Sequence, residues 1–332
     1  MQNKSQQVLI LGTGGTIAGL ISAADPGHYQ AAQVAVQDLV SAVPALANIT
    51  LESEQVAQID SKDMDFAVWQ LLAQRVAWHL ARDEVSGVVI THGTDTLEET
   101  AFFLRSVLAA NKPVVLTAAM RPANSPEADG PQHLREAIEV AAAGGWGGVA
   151  VVLQGEVHDA LWVRKAHPRA LRAFDSGKHG PLATLEAGSW AWRRPIAPST
   201  PLMLWSALPE AAQWPWVELV HSQTGARAAT VEALVNAGVN GLVVVATGNG
   251  TVHHALQTAL LQAQQGGIEV WRCTRCIPEG LVPEASAWCP ASELIPAKAR
   301  IAMMLELMAP ARGQHHQEGP RTFLGTPCEV GG

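Results

Sequence analysis

The sequence predicts an α/β protein of two domains: a larger amino-terminal domain on a parallel sheet and a smaller carboxyl-terminal α/β domain. Three observations predict it. Strand-like apolar runs alternate with stretches of helical spacing, which is the α/β pattern. Two of those runs, Val8-Leu9-Ile10-Leu11 and Val88-Val89-Ile90, lead into threonine-glycine clusters, Thr13-Gly14-Gly15-Thr16-Ile17 and Thr91-His92-Gly93-Thr94-Asp95-Thr96. A stretch rich in proline and tryptophan, 190–216, then separates one set of elements from a second. A chain of 332 residues is long enough for two domains and a sizeable core.

The elements follow in order. Strand 8–11 enters the first cluster, and 36–43 reads as a helix that ends near Pro44. Strand-like 50–58 leads to Ile59-Asp60-Ser61-Lys62-Asp63. Over 64–82, Phe66, Trp69, Leu72, Val76 and Leu80 fall near one helical face. Strand 87–90 precedes the second cluster. A helix over 97–110 opens with a Thr96-to-Glu99 spacing like a capping box. Strand 113–118 delivers Ala119. Helix 131–143 carries Pro131 in its first turn, where proline is tolerated. Strand 148–153 closes the first set. Pro195, Pro198, Pro201, Pro209 and Pro215 interrupt regular structure in the break, and its tryptophans predict a linker that packs on something. Strand 217–220, helix 228–237, strand 241–246, helix 251–264 and strand 268–272 form the second unit. The expected division is 1–194, a linker over 195–213, and 214–332. The tail beyond Pro310 reads as loosely ordered, with His315-His316 a solvated pair.

Composition excludes several classes. The net charge of −8, with no long Lys/Arg cluster, argues against a nucleic-acid partner. No apolar run is long enough for a membrane span. The start, Met1-Gln2-Asn3-Lys4-Ser5-Gln6-Gln7, enters a strand without a signal core, which predicts a cytoplasmic protein. A dinucleotide fingerprint fails because Ile17 stands where its third glycine belongs, and neither a P-loop nor a Gly-x-Ser-x-Gly elbow is present. The four cysteines stand at 273, 276, 289 and 328. Cys273-Thr274-Arg275-Cys276 has metal or redox spacing, but Pro278, Gly280 and Pro283 argue against the helix that would stabilise a thiolate. No second paired spacing supports zinc. Reduced thiols, no metal and no cofactor are expected.

In a parallel sheet the loops at the carboxyl ends of the strands gather at one edge, where ligands bind. Two turns that carry hydroxyls, a carboxylate and exposed backbone N–H groups meet there. That inventory suits covalent chemistry at an amide carbonyl. Thr16 follows two glycines, where the backbone can approach a ligand closely, although such a threonine can also simply bond its own turn.

Leu11-Gly12-Thr13-Gly14-Gly15-Thr16-Ile17-Ala18-Gly19 resembles the amino-terminal signature of the bacterial-type L-asparaginase family, and Thr91–Ala101 resembles its second signature. Ala119-Met120-Arg121-Pro122, followed by Ala128-Asp129-Gly130-Pro131, is similar to a third motif in the same order. The resemblance implies a flavodoxin-like amino-terminal sheet, no cofactor, and hydrolysis of L-asparagine, with L-glutamine as the alternative substrate. It makes Thr16 the primary nucleophile, assisted by Tyr29 on a Pro-Gly lid. Thr94, Asp95 and Lys165 become the second catalytic group. A lysine acting as base must be deprotonated, whereas a neighbouring Asp favours the charged form. Either the pair titrates as a unit, or Lys165 mainly orients Thr94. Arg164 stands beside it as a competing match.

Substrate binding falls by resemblance to Gly15, Ser61, Thr94, Asp95 and Ala119. Asp95 pairs with the ammonium, Ser61 lies in the carboxylate-binding loop, and the Ala119 carbonyl holds the leaving nitrogen. The oxyanion rests on N–H groups near Gly15 to Thr16 and Thr94. Lys62 replaces the glutamine common in the family, which leaves the asparagine-versus-glutamine preference open. Gly248-Asn249-Gly250-Thr251 resembles a loop donated by a neighbouring subunit, with Glu279 or Glu284 as the accompanying carboxylate. A homotetramer of two intimate dimers follows. The competing readings are a glutamine-hydrolysing subunit of a transfer-RNA amidotransferase, a broader glutaminase-asparaginase, and a catalytically silent amino-acid sensor. The amidotransferase subunit would carry an extra amino-terminal domain. The sensor would have lost its nucleophile, yet both threonines are present.

Overall fold

Apolar runs long enough to be buried on both faces build a parallel sheet in the first part of the chain. The computed structural model describes residues 6–22, 29–43, 49–196, 200–276 and 288–309. The chain divides into two units, residues 1–207 and 208–332.

The first unit runs β1 (Gln6–Gly14), α1 (Val36–Ser41), β2 (Ile49–Ile59), α2 (Phe66–Leu80), β3 (Val85–Thr91), α3 (Leu97–Val107), β4 (Pro113–Thr117), α4 (Gly130–Ala143) and β5 (Gly148–Leu153). Three further strands follow: β6 (Glu156–Asp159), β7 (Ala183–Glu186) and β8 (Ser189–Trp192). Among the described residues they form one eight-stranded sheet in the order β8-β7-β6-β5-β4-β3-β1-β2. Strands β2, β1, β3, β4 and β5 are parallel, in the 2-1-3-4-5 order of flavodoxin-like folds. The last three strands are added antiparallel. Two short antiparallel ladders lie outside this sheet, Leu20–Ile21 against Tyr29–Gln30 and Arg164–Lys165 against Phe174–Asp175.

Packing follows the pattern of the sequence. Leu134, Ala137, Ile138 and Ala141 of α4 meet Val8, Ile10, Val89, Val115 and Ala150 in one apolar cluster. Trp69 of α2 stacks on Phe103 of α3, with centroids 4.8 Å apart. Asp65 caps α2 by accepting the Val68 N–H at 2.8 Å, as a short acidic N-cap should.

Among the described residues of the second unit, β9 (Val217–His221), β10 (Gly241–Ala246) and β11 (Glu269–Thr274) form a three-stranded parallel sheet in that order. Helices α5 (Ala229–Asn236) and α6 (His254–Gln265) share an apolar cluster with its strands. Helix α7 (Pro296–Met308) also packs on this sheet and hydrogen-bonds it through Arg300 Nε and the Val217 carbonyl at 2.9 Å. Among the described residues no helix is long and apolar enough to cross a membrane.

Four features differ from the sequence expectation. The capping box does not form: the Thr96 hydroxyl donates instead to the Ser61 carbonyl at 2.7 Å, because that carbonyl lies within its reach across the loop. Helix α6 starts at His254 rather than 251, because Thr247 and Thr251 close a turn with their hydroxyls 2.8 Å apart. The start of the proline-rich break belongs to edge strand β8, since its prolines begin only after Trp192. Helix α7 carried no expectation, and neither did strands β6 and β7. The break does pack: Ile196, Met203 and Trp214 are buried, and the Leu202 and Met203 N–H groups reach the Ser106 carbonyl. Pro44, Pro198 and the tail with His315 and His316 lie outside the described residues.

Candidate active site

The site forms where the sheet order reverses, at the carboxyl ends of β1 and β3. The Thr13 hydroxyl donates to the Thr91 carbonyl at 2.9 Å and ties the two strand ends together. Gly14 and Gly15 then take φ of 102° and 81°, a region that L side chains rarely adopt. A Cβ on Gly15 would overlap the Gly93 backbone, and one on Gly93 would overlap the Ser61 side chain. Glycine at both positions lets the two signature loops touch backbone to backbone.

Thr16 opens a short 3-10 turn, Thr16–Ala18, and is buried. Its hydroxyl lies 3.2 Å from the Tyr29 hydroxyl, and either can donate. Tyr29 is 45% exposed and is held by the ladder opposite Ile21. Gly19 leaves room for its ring. A buried hydroxyl facing an exposed phenol can attack a carbonyl while its proton moves to a neighbour. Asp25, Pro26, Gly27 and His28, expected from the sequence to form a lid, lie outside the described residues.

The second loop gathers charge. Lys165 Nζ donates to Thr94 Oγ1 at 2.9 Å and pairs with Asp95 Oδ1 at 2.6 Å. Thr94 is buried, whereas Asp95 is exposed. Arg164 turns away, with Nε 2.7 Å and Nη2 3.3 Å from the two oxygens of Asp175, so Lys165 alone of this pair meets the loop. The Lys165 backbone N–H is held by a carboxylate oxygen of Glu98. Ser61 is buried beneath the loop, and its hydroxyl accepts the Asp95 N–H at 3.2 Å. Lys62 is exposed and ion-pairs with Asp63, which raises its pKa.

Beyond β4, Ala119 is buried against Ile17 and Ala18. Asp129 fixes the turn that follows: its two oxygens accept the Met120 and Arg121 N–H groups, each at 3.0 Å. His133 Nδ1 meets the Ala118 carbonyl at 2.8 Å.

His92 supports the second loop from below. Burial pushes its imidazole down to about 4. Its Nδ1 lies 2.7 Å from the Gly93 carbonyl, which can only accept, so Nδ1 carries the proton. Nε2 then accepts from the Thr100 hydroxyl at 2.9 Å, whose oxygen takes the Trp69 indole N–H, also at 2.9 Å.

The structure thus brings Thr16 to Tyr29, Thr94 and Asp95 to Lys165, Ser61 to Asp95, and Gly15 to Gly93, with Ala119 against the first turn. One expectation is corrected. The Gly15 N–H already donates to the Ile59 carbonyl at 2.9 Å, because β1 and β2 shift register there, so it does not serve an oxyanion. Glu98, Asp129 and Thr13 escaped the sequence reading as site residues. Glu98 and Asp129 stand in quoted motifs, but their partners are backbone N–H groups that no pattern announces.

In the second unit, the Gly248–Thr251 loop is held by Thr274 Oγ1 to the Gly248 carbonyl at 2.6 Å and by Arg272 Nη1 to the Gly250 carbonyl at 3.0 Å. Burial pushes the Cys273 and Cys289 thiols up to about 12, far from a reactive thiolate. Glu279, Glu284, Pro278, Gly280, Pro283 and Cys328 lie outside the described residues.

Comparison with known proteins agrees with this geometry. The family described as "Asparaginase, N-terminal" matches residues 7–198, and "Glutaminase/Asparaginase C-terminal domain" matches 216–318. The chain is 36% identical to L-asparaginase 2 of Escherichia coli strain K12, over 90% of this chain and 88% of that relative. It is 34% identical to a glutaminase-asparaginase of Pseudomonas fluorescens biotype A, over 97% and 91% of the two chains. The crystal structure of a probable cytoplasmic L-asparaginase from Campylobacter jejuni superposes with a TM-score of 0.84 at 31% identity, covering 91% of this chain and 95% of that one. With both domain families matched in order around these threonine loops, the chain belongs to the asparaginase family and is an amidohydrolase.

Proposed function

We propose that this enzyme hydrolyses L-asparagine to L-aspartate and ammonia through a threonine acyl-enzyme. The observation that carries the reading is a pair of separately partnered hydroxyls on two loops that touch at Gly15 and Gly93, Thr16 beside Tyr29 and Thr94 beside Lys165, which also pairs with Asp95. Thr16 Oγ1 attacks the side-chain amide carbon, and its proton is relayed through Tyr29 toward the leaving nitrogen. The carbon–nitrogen bond breaks, ammonia departs, and an aspartyl ester remains on Thr16. Water aligned by Thr94 and Lys165 adds to the ester carbonyl, releases aspartate and returns the proton to Thr16. The N–H groups of Thr16 and Thr94 stabilise the oxyanion in each half-reaction.

Asp95 receives the substrate ammonium, Ser61 and its loop receive the α-carboxylate, and the Ala119 carbonyl holds the leaving nitrogen. The similarity to a glutaminase-asparaginase over nearly the whole chain supports a second reading, activity on L-glutamine as well. The enzyme acts as a homotetramer of two intimate dimers, with Gly248–Thr251 completing a neighbour's site, and works in the cytoplasm. Likeness to a probable cytoplasmic L-asparaginase supports the last point. Sedimentation velocity tests the assembly.

Ammonia release from L-asparagine and from L-glutamine, beside Thr16→Ala, tests the chemistry. Release by the wild type and near-loss in a folded variant is expected. Equal release by both would transfer the nucleophile's role to Thr94. No release by either, with aspartate still bound, would leave an amino-acid sensor.

A further inference from the structure

Lys165 must bring the end of a long, flexible stem to the Thr94 hydroxyl. Its own segment gives it little regular support. The ladder at Arg164–Lys165 is two residues long. The neighbouring bonds, Val163 N–H to the Asp159 carbonyl, Ala166 N–H to the Ala173 carbonyl and Arg164 to Asp175, tie the segment mainly to itself. The Lys165 N–H behaves differently: it leaves the segment and donates to Glu98 in the first turn of α3. The loop that runs into that turn also carries Thr94 and Asp95, which hold the Nζ end. One loop-and-helix corner therefore grips the lysine at both ends. A carboxylate is well suited to the inner grip, because a helix amino terminus favours negative charge and a charged acceptor strengthens the bond.

We propose that Glu98 is a positioning residue: it fixes the Lys165 main chain so that the ammonium reaches Thr94. The kinetic consequence rests on the amidohydrolase reading above, but the positioning itself does not. Glu98→Ala removes the acceptor, and Glu98→Gln keeps a neutral one.

With L-asparagine, Glu98→Ala lowers kcat by about 10²-fold with KM nearly unchanged, the scale of a catalytic group displaced by about 1 Å. Glu98→Gln stays within about fivefold of the wild type, as a weaker neutral acceptor allows. Adding Glu98→Ala to Lys165→Ala costs nothing further, since the residue acts through the lysine. Full additivity of the two, or an unimpaired Glu98→Ala, overturns the assignment.

Acetic anhydride labelling of the intact protein, read by peptide mass spectrometry against the exposed Lys178, gives an answer that needs no turnover. Glu98→Ala labels Lys165 several-fold faster than the wild type, and Glu98→Gln labels it at the wild-type rate. Unchanged labelling in Glu98→Ala, or equal acceleration in both variants, rejects the proposal. A wild type that releases no ammonia defeats the proposed function while the labelling still judges Glu98.

Discussion

Tyr29 Oη stands 3.2 Å from Thr16 Oγ1, although Tyr29 is half exposed and Thr16 is buried. The pair joins a solvent-exposed phenol to a hydroxyl buried in the floor of the site. Tyr29→Phe keeps the ring and removes only the hydroxyl, and with it the proposed proton relay. We expect kcat for L-asparagine to fall by about 10²-fold, the lower end for general acid–base groups, with KM changed little. Steady-state kinetics checks it, and a rise in KM alone would assign Tyr29 to binding.

Lys165→Met removes the donor at Thr94 and leaves Thr16 and Tyr29 untouched. If Thr94 and Lys165 serve the water step, ester hydrolysis slows more than ester formation. Rapid-quench measurement should then show a burst of one ammonia per site, followed by turnover reduced about 10²-fold or more. A slow first turnover without a burst would move Lys165 to the attack step.

Gly15→Ala should be severe. The backbone there has φ of 81°, and the new methyl would enter the Gly93 main chain, which cannot rotate away as a side chain can. A loss of about 3 kcal/mol or more is expected. Gly180→Ala is the control, because φ there is 60° but nothing lies within 4 Å. That site, extended at ψ of 179°, should lose only the backbone penalty of this glycine-favouring region, about 1–3 kcal/mol. Urea unfolding of both variants measures the difference.

His92 predicts acid sensitivity. Its folded imidazole titrates at about 4, below the ordinary 6.5, because burial disfavours the charge. Between those values the unfolded chain holds a proton that the folded chain refuses. The stabilisation is therefore complete above pH 6.5 and disappears as pH falls from 6.5 to 4, by about 3 kcal/mol in all. The comparison is with His92→Gln, which cannot titrate there. Between pH 7 and pH 5 the wild type should lose about 2 kcal/mol more than the variant. Equal losses would remove His92 from the effect.

Much of the fold could be read locally. Val88-Val89-Ile90 and Val149–Val152 are apolar on both faces, and such runs announce central parallel strands. Strands β6 to β8 are short and mix polar with aromatic residues, so no period marked them. The two threonine loops stood out because glycine beside threonine at a strand end is a local signal. Glu98 did not, because its partner is a main-chain N–H 67 positions away. Thr96 misled for the same reason. Its spacing fits a cap, but a carbonyl from 35 positions earlier won the hydroxyl.

The contact between Gly15 and Gly93 carries a lesson for redesign. Two main chains in touch behave as a single casting, so neither loop can be exchanged, lengthened or bent while the other stays put. A graft that carries only one of them from a relative should arrive misaligned. Transplanting both as a matched set should preserve the fit, which makes the pair, rather than either loop, the heritable unit of the floor of this site.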